Sequence, residues 1–239
     1  MSTATTPRST PPEDRSSGSS RPARPSRRPR NPGDHDSRTR LFQLLQGKSG
    51  ALPAEDAAHA ELVEAIRSLQ DAMAGADAPA AALTDLAGQT LDVAKTLKRH
   101  QVSWQVQISG WQMHRPGRGQ ILTPPLNIQQ YDGDGVVATF QFSRFHLGDG
   151  GVVHGGAIPL MVDELFSQWA QTVHGDRTRT ACLKVVYRHV TPIDETLTLR
   201  GWPEEQKGRK LVVRGQLTSG ATLLCDLEAV FVSLRPEQP

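Results

Sequence analysis

Cysteine is nearly absent: Cys182 and Cys225 are the two in 239 residues. Two thiols make neither a disulfide framework nor a zinc site. Both lie in strand-like runs, where they read as reduced, buried small residues. Long apolar runs are missing too. No stretch approaches the ~18 residues of a membrane span, and the N-terminal segment lacks the apolar core of a secretory leader. A soluble, cytoplasmic protein is therefore expected. Neither a phosphate-binding glycine loop nor a dinucleotide fingerprint occurs. The eight histidines (35, 59, 100, 114, 146, 154, 174 and 189) show no metal-type spacing. No metal and no cofactor are expected.

Apolar residues make up 37% of the chain and aromatics 5%, low for a sequence that folds along its whole length. The shortfall has a location. Residues 1–40 hold nine Arg and seven Pro with almost no aliphatics. Such a segment buries too little apolar surface to offset its ordering entropy, so a disordered tail is expected. Its prolines and missing amphipathic period set it apart from an organelle transit peptide. Those nine Arg face four acids, whereas the rest of the chain has 18 Lys and Arg against 21 Asp and Glu. The folded part is thus mildly acidic, which argues against a nucleic-acid-binding core.

Beyond the tail, a helical extension is expected over 41–103. Leu62, Val63, Ile66, Leu69 and Met73 recur at helical spacing. "GADAP" interrupts the pattern, and Leu83, Leu86, Leu91, Ala94 and Leu97 resume it, with Lys95, Lys98 and Arg99 in the last turns, where cations suit the dipole. Two helices in hairpin order, docked on the main domain or on a partner, are predicted.

From about Trp104 the pattern turns β-like, and 104–239 is expected to form the main domain. "GVVATFQFS" alternates, with Val136, Ala138, Phe140 and Phe142 on one face. A helix over about 156–173 follows, apolar on nearly every side. Four further strand candidates come next: "ACLKVVYRHV", "ETLTLRGW", "RKLVVRGQLT" and "TLLCDLEAVFVSL", the last two joined at Ser219-Gly220. The order predicts an α+β fold in which an antiparallel sheet wraps around one long central helix. Its edge strand would be protected by pairing across a two-fold axis.

That helix contains an oddity. Asp163 and Glu164 sit in its middle, and His154-Gly155-Gly156 opens it. Glycines at a helix start let a ligand approach the backbone closely, and the first N–H groups there lack partners and carry partial positive charge. A carboxylate in an apolar helix is paired, hydrogen-bonded or working. Gly156, Pro159, Asp163, Ser167 and Ala170 fall on one narrow stripe of small or polar residues, whereas Glu164 points about 100° away and reads as structural. A tight turn also favours glycine, and a buried Asp also caps backbone or binds Arg across an interface; both alternatives stay open at this point.

Val153-His154-Gly155-Gly156-Ala157 with Asp163 nine residues after the His, followed by Thr180-Ala181-Cys182-Leu183-Lys184-Val185-Val186-Tyr187, resembles the hotdog-fold acyl-CoA thioesterases of the phenylacetate-degradation (PaaI-like) type. The resemblance covers roughly 125–235. It implies thioester hydrolysis, with the amides of Gly155 and Gly156 polarising the carbonyl and Asp163 acting as general base or nucleophile. It further implies that His154 orients the turn, that Thr180 positions the attacking water, and that the site lies between subunits of a homodimer or tetramer. Arg188 and Lys210 are the candidates for the phosphates of coenzyme A, with Arg209 and Arg214 nearby. One position departs from the pattern. Relatives carry Asn or Glu six to eight residues before the His, where this chain has His146, Leu147 and Gly148, with Asp149 closer in. A non-catalytic acyl-CoA-binding or sensing protein is the competing expectation; a hotdog dehydratase fits the spacing less well.

Overall fold

The computed structural model describes residues 54–110, 116–175, 177–235 and 237–238. The expected tail, 1–40, lies outside them. The elements are α1 (Ala54–Gly75), α2 (Ala80–Lys98), β1 (Asn127–Tyr131), β2 (Val136–Phe140), α3 (Ala157–His174), β3 (Thr178–Tyr187), β4 (Leu197–Lys207), β5 (Lys210–Ser219) and β6 (Thr222–Ser233). The six strands form one antiparallel sheet in the order β1-β2-β4-β5-β6-β3. Helix α3 packs on one face of it, against β3, β5 and β6. This is the predicted α+β arrangement of a sheet around one central helix.

Alternation along the strands builds the core. Leu197 and Leu199 of β4, Leu211 and Val213 of β5, and Leu227 and Phe231 of β6 are buried together with Met161, Phe166 and Trp169 of α3. Burying one such side chain stabilises the fold by about 1.5–3 kcal/mol. Trp169 brings a polar handle into this layer, and its Nε1–H donates to the Asp132 carbonyl at 2.7 Å, as a buried indole requires. Gly175 ends α3 in the left-handed conformation, φ 73°, where a missing Cβ removes the strain.

Phe166 fixes how the helix seats. Gly201 of β4 and Gly215 of β5 are directly opposed, and a Cβ on either would come within 2.6 Å of the phenyl ring. Neither glycine has a positive φ. They are small because an aromatic ring occupies the space above them.

Several expectations are corrected. Among the described residues the first strand begins at Asn127, not near Trp104; Pro124 and Pro125 just before it lack the N–H that a ladder needs. The last hairpin turns at Gly220-Ala221, with Ser219 already paired to Thr222 and Gly220 at φ 53°. Cys182 is exposed, Cys225 buried, since β3 is an edge strand with only β6 beside it. Burial pushes the Cys225 thiol up to about 11. Leu160 is 37% exposed, so the helix expected to be apolar on nearly every side is not buried on every side.

The two early helices are joined by residues 76–79, where "GADAP" breaks the pattern. Helix α1 docks by polar contacts: Arg67 donates to the carbonyls of Gln120 (2.7 Å) and Thr123 (3.2 Å), and Asp71 Oδ1 accepts from the Phe145 N–H at 2.9 Å. Helix α2 has no buried residue, and Leu83, Leu86, Leu91 and Leu97 are exposed. No helix among the described residues is long and apolar enough to cross a membrane.

Candidate active site

The HGG turn joins the loop after β2 to α3. His154 N–H donates to the His146 carbonyl at 2.8 Å and Ala157 N–H to the His154 carbonyl at 2.9 Å, so the turn is tied backward and forward. Gly155 and Gly156 are both exposed. Neither has a positive φ, so the turn's own geometry does not demand glycine. A Cβ on Gly155 would make ordinary contact with the Tyr187 ring, 3.6 Å from Oη, whereas one on Gly156 would crowd the His154 ring at 3.1 Å. His154 Nδ1 accepts from the Gly156 N–H at 3.0 Å, so the imidazole occupies one of the two amides expected to polarise a carbonyl. The Gly155 N–H has no hydrogen-bond partner among the described residues.

Two turns into α3 the small-residue stripe is partly open: Pro159, Asp163 and Ser167 are half-buried, whereas Met161, Val162, Leu165 and Phe166 are buried. Thr180 Oγ1, from the first residues of β3, donates to Asp163 Oδ1 at 2.6 Å. Asp163 and Thr180 are 17 residues apart and meet because β3 returns alongside the helix.

Glu164 is structural, as its place on the helix wheel suggested, and its partner is a distant arginine. Arg118 grips it with both ends of its guanidinium, Nε to Oε1 at 2.7 Å and Nη2 to Oε2 at 2.6 Å. Gln168 adds a third donor at 2.8 Å. Arg118 holds a left-handed backbone, φ 57°, between Gly117 and Gly119, which are left-handed too. A non-glycine residue there costs about 1–3 kcal/mol, held by the fork on Glu164. The side chains are 22% and 14% exposed, so removing one leaves a largely desolvated charge. Arg118→Met is expected to destabilise the fold by about 2–3 kcal/mol, less than for a fully buried pair. Adding Glu164→Gln is expected to return part of that loss. Urea unfolding of the single and double variants measures both; a double variant no more stable than Arg118→Met contradicts the uncompensated charge.

The loop that departs from the expected pattern is closed on itself. His146 Nδ1 faces Ser143 N and Oγ at 3.3 and 3.2 Å, and its ring lies 5.1 Å from that of Phe142. Burial pushes this imidazole below its ordinary pKa. Leu147 bridges to Val153. A Cβ on Gly148 would come within 2.9 Å of the His154 backbone. Asp149 Oδ1 accepts from the Gly150 N–H at 2.8 Å.

The cationic candidates separate from the turn. Arg188 is paired with Asp226 at 2.8 Å, which together with Gln216 holds that carboxyl below its ordinary range. Arg214 is paired with Glu204 (2.7 Å) and Glu228, and Arg209 donates to the Ser233 carbonyl. Lys210 lies opposite Val232, level with Arg179, at the Thr180 end of the sheet and two strands away. The structure therefore brings Asp163 to Thr180 and His154 to Gly156. It does not bring Arg188 or Lys210 to either pair.

Residues 150–225 match the thioesterase superfamily. No curated protein matches the chain. Among solved structures, a thioesterase superfamily protein superposes with a TM-score of 0.63 at 24% identity, covering 77% of this chain and 96% of its own. That share is too large for 104–239 alone, so the common fold reaches into the preceding helices. A hypothetical thioesterase from Streptococcus pneumoniae, solved with coenzyme A, is 19% identical, with a TM-score of 0.42 over 45% of this chain and 87% of its own. A Streptococcus mutans protein bound to acetyl-CoA is 16% identical, with a TM-score of 0.43 over 46% and 88%. The fold of this chain is the hotdog fold.

Tyr187 is the residue that sequence reasoning left without a role. It closes the run Leu183, Val185, Tyr187 on the helix-facing side of β3, and its Oη donates to the Gly155 carbonyl at 2.7 Å. Alternation announces the face but not the contact.

Proposed function

We propose that the protein hydrolyses acyl-CoA or acyl-carrier thioesters, as a PaaI-like hotdog enzyme working in a homodimer or larger assembly. The observation that carries this reading is the pairing of Asp163 with Thr180 on the open stripe of α3, downstream of an exposed glycine turn. Water held by Thr180 attacks the thioester carbon while Asp163 takes its proton. The oxyanion is held by turn amides, the C–S bond breaks, and the thiolate leaves with the proton from Asp163. Direct attack by Asp163 through an acyl-enzyme anhydride, then hydrolysed by water, gives the same products.

One chain cannot supply both halves to one carbonyl. Seven or eight residues of helix separate the turn from Asp163, about 11–12 Å at 1.5 Å per residue. A carbonyl whose oxygen sits ~3 Å from the amide and whose carbon sits ~3 Å from the attacking atom spans at most about 7 Å. Two copies related by a two-fold axis and paired along the open edge of β3 bring the turn of one to Asp163 of the other.

An acyl-CoA panel with thiol release followed by a disulfide reagent tests the reading. Turnover of at least one thioester is expected. Saturable binding without turnover would instead make this a binding or sensing hotdog protein, a reading favoured by the self-closed loop at His146 and the engaged Gly156 amide.

A further inference from the structure

We infer that Tyr187 is a positioning residue that sets the Gly155–Gly156 peptide, and with it the turn whose Gly155 N–H, unpartnered among the described residues, meets the substrate carbonyl. The inference rests on the thioesterase reading of the turn. The Gly155 carbonyl and the Gly156 N–H belong to one planar trans unit and point in opposite directions. Holding the oxygen therefore aims the hydrogen. Tyr187 Oη donates to that oxygen at 2.7 Å, the usual length for an O–H···O bond, and His154 Nδ1 accepts from the N–H at 3.0 Å.

The helix itself does not anchor this peptide. Its donor for the Gly155 carbonyl would be residue 159, four places on, and residue 159 is proline, which has no N–H. No other backbone donor reaches the Gly155 carbonyl among the described residues. Glycine on both sides leaves the unit with little steric restraint, so its plane depends on the His154 ring at one pole and on an outside partner at the other. The phenol supplies what Pro159 withholds. It also polarises the peptide, strengthening the N–H at the opposite pole as a donor. A phenol keeps its proton through the neutral range at its ordinary pKa of about 10, and burial pushes that of Tyr187 further up.

The contact is made at the surface end of β3, where Tyr187 is 51% exposed. Removing its hydroxyl opens no cavity. Tyr187→Phe is therefore expected to keep the wild-type melting temperature, to lower kcat about tenfold, a fraction of what losing a whole oxyanion donor costs, and to leave KM within about twofold. In protein labelled with 15N-glycine, the Gly156 amide proton is expected to shift in Tyr187→Phe while glycines far from the turn, such as Gly208, do not. An unchanged kcat overturns the proposal, and so does a loss of kcat that comes with a lowered melting temperature and an unmoved Gly156 resonance. Wild-type protein inactive on every thioester overturns the thioesterase reading instead, and the Gly156 resonance alone then decides whether Tyr187 sets the peptide.

Discussion

Asp163→Asn is expected to lower kcat for thioester hydrolysis by about two to four orders of magnitude, the range of a lost general base, with KM little changed. The substitution is close to isosteric. Asn keeps an oxygen where Thr180 Oγ1 donates at 2.6 Å, so the contact between α3 and β3 survives. What disappears is the capacity to accept a proton or attack the carbonyl. The melting temperature should therefore stay near wild type while turnover collapses, a separation that an Asp acting only as a structural cap does not produce. Glu164→Gln provides the internal contrast. Its carboxylate is spent on Arg118, so that variant should lose stability and keep kcat. Steady-state kinetics beside thermal melts resolve the pair. Unchanged turnover in Asp163→Asn removes that residue from the chemistry; equal loss of activity in both variants assigns the effect to the helix rather than to the carboxylate.

What was legible before the structure follows one rule: patterns local in sequence could be read, and pairings across the chain could not. Helix α3, the four strands after it and the turn at its start show in spacing alone, because a buried face repeats with the geometry of its element. The two carboxylates were separable in part, since the wheel places Asp163 on the stripe of small residues and turns Glu164 away. The partner of Glu164 was not, because Arg118 lies 46 positions upstream, in a left-handed loop whose only local mark is "PGRG". Tyr187 had a face but no contact, since its role depends on Pro159 leaving a carbonyl 32 positions away without a donor. Arg188 was legible as a cation but its ion pair was not, because Asp226 stands on the neighbouring strand and strand register is not written in local spacing. The docking of α1 escaped for a related reason: Arg67 and Asp71 hold it by backbone groups of distant loops, which carry no residue-type signature.

Gly201→Ala is expected to destabilise the fold by about 2–4 kcal/mol, although glycine to alanine in a strand is ordinarily neutral or favourable. The added Cβ would sit 2.6 Å from Phe166 Cε1 and 2.8 Å from Cζ, distances that van der Waals contact forbids. The backbone at Gly201 has no positive φ, so conformational strain makes no contribution and the whole loss is overpacking. Phe166 cannot swing aside, because it is fully buried between α3 and the sheet. The helix must instead lift, carrying Asp163, three residues earlier, away from Thr180. A smaller side chain at 166 is therefore expected to reverse the sign. Phe166→Leu alone leaves a cavity over Gly201 and Gly215 and destabilises, whereas Gly201→Ala with Phe166→Leu should be more stable than the sum of the singles by about 1–3 kcal/mol, the coupling of residues in direct contact. Denaturant midpoints of the four proteins close the cycle, and simple additivity would mean that the ring and the glycine do not meet. The same proteins report on function: if seating of the helix sets the reach of Asp163, kcat should fall in Gly201→Ala and recover with Phe166→Leu.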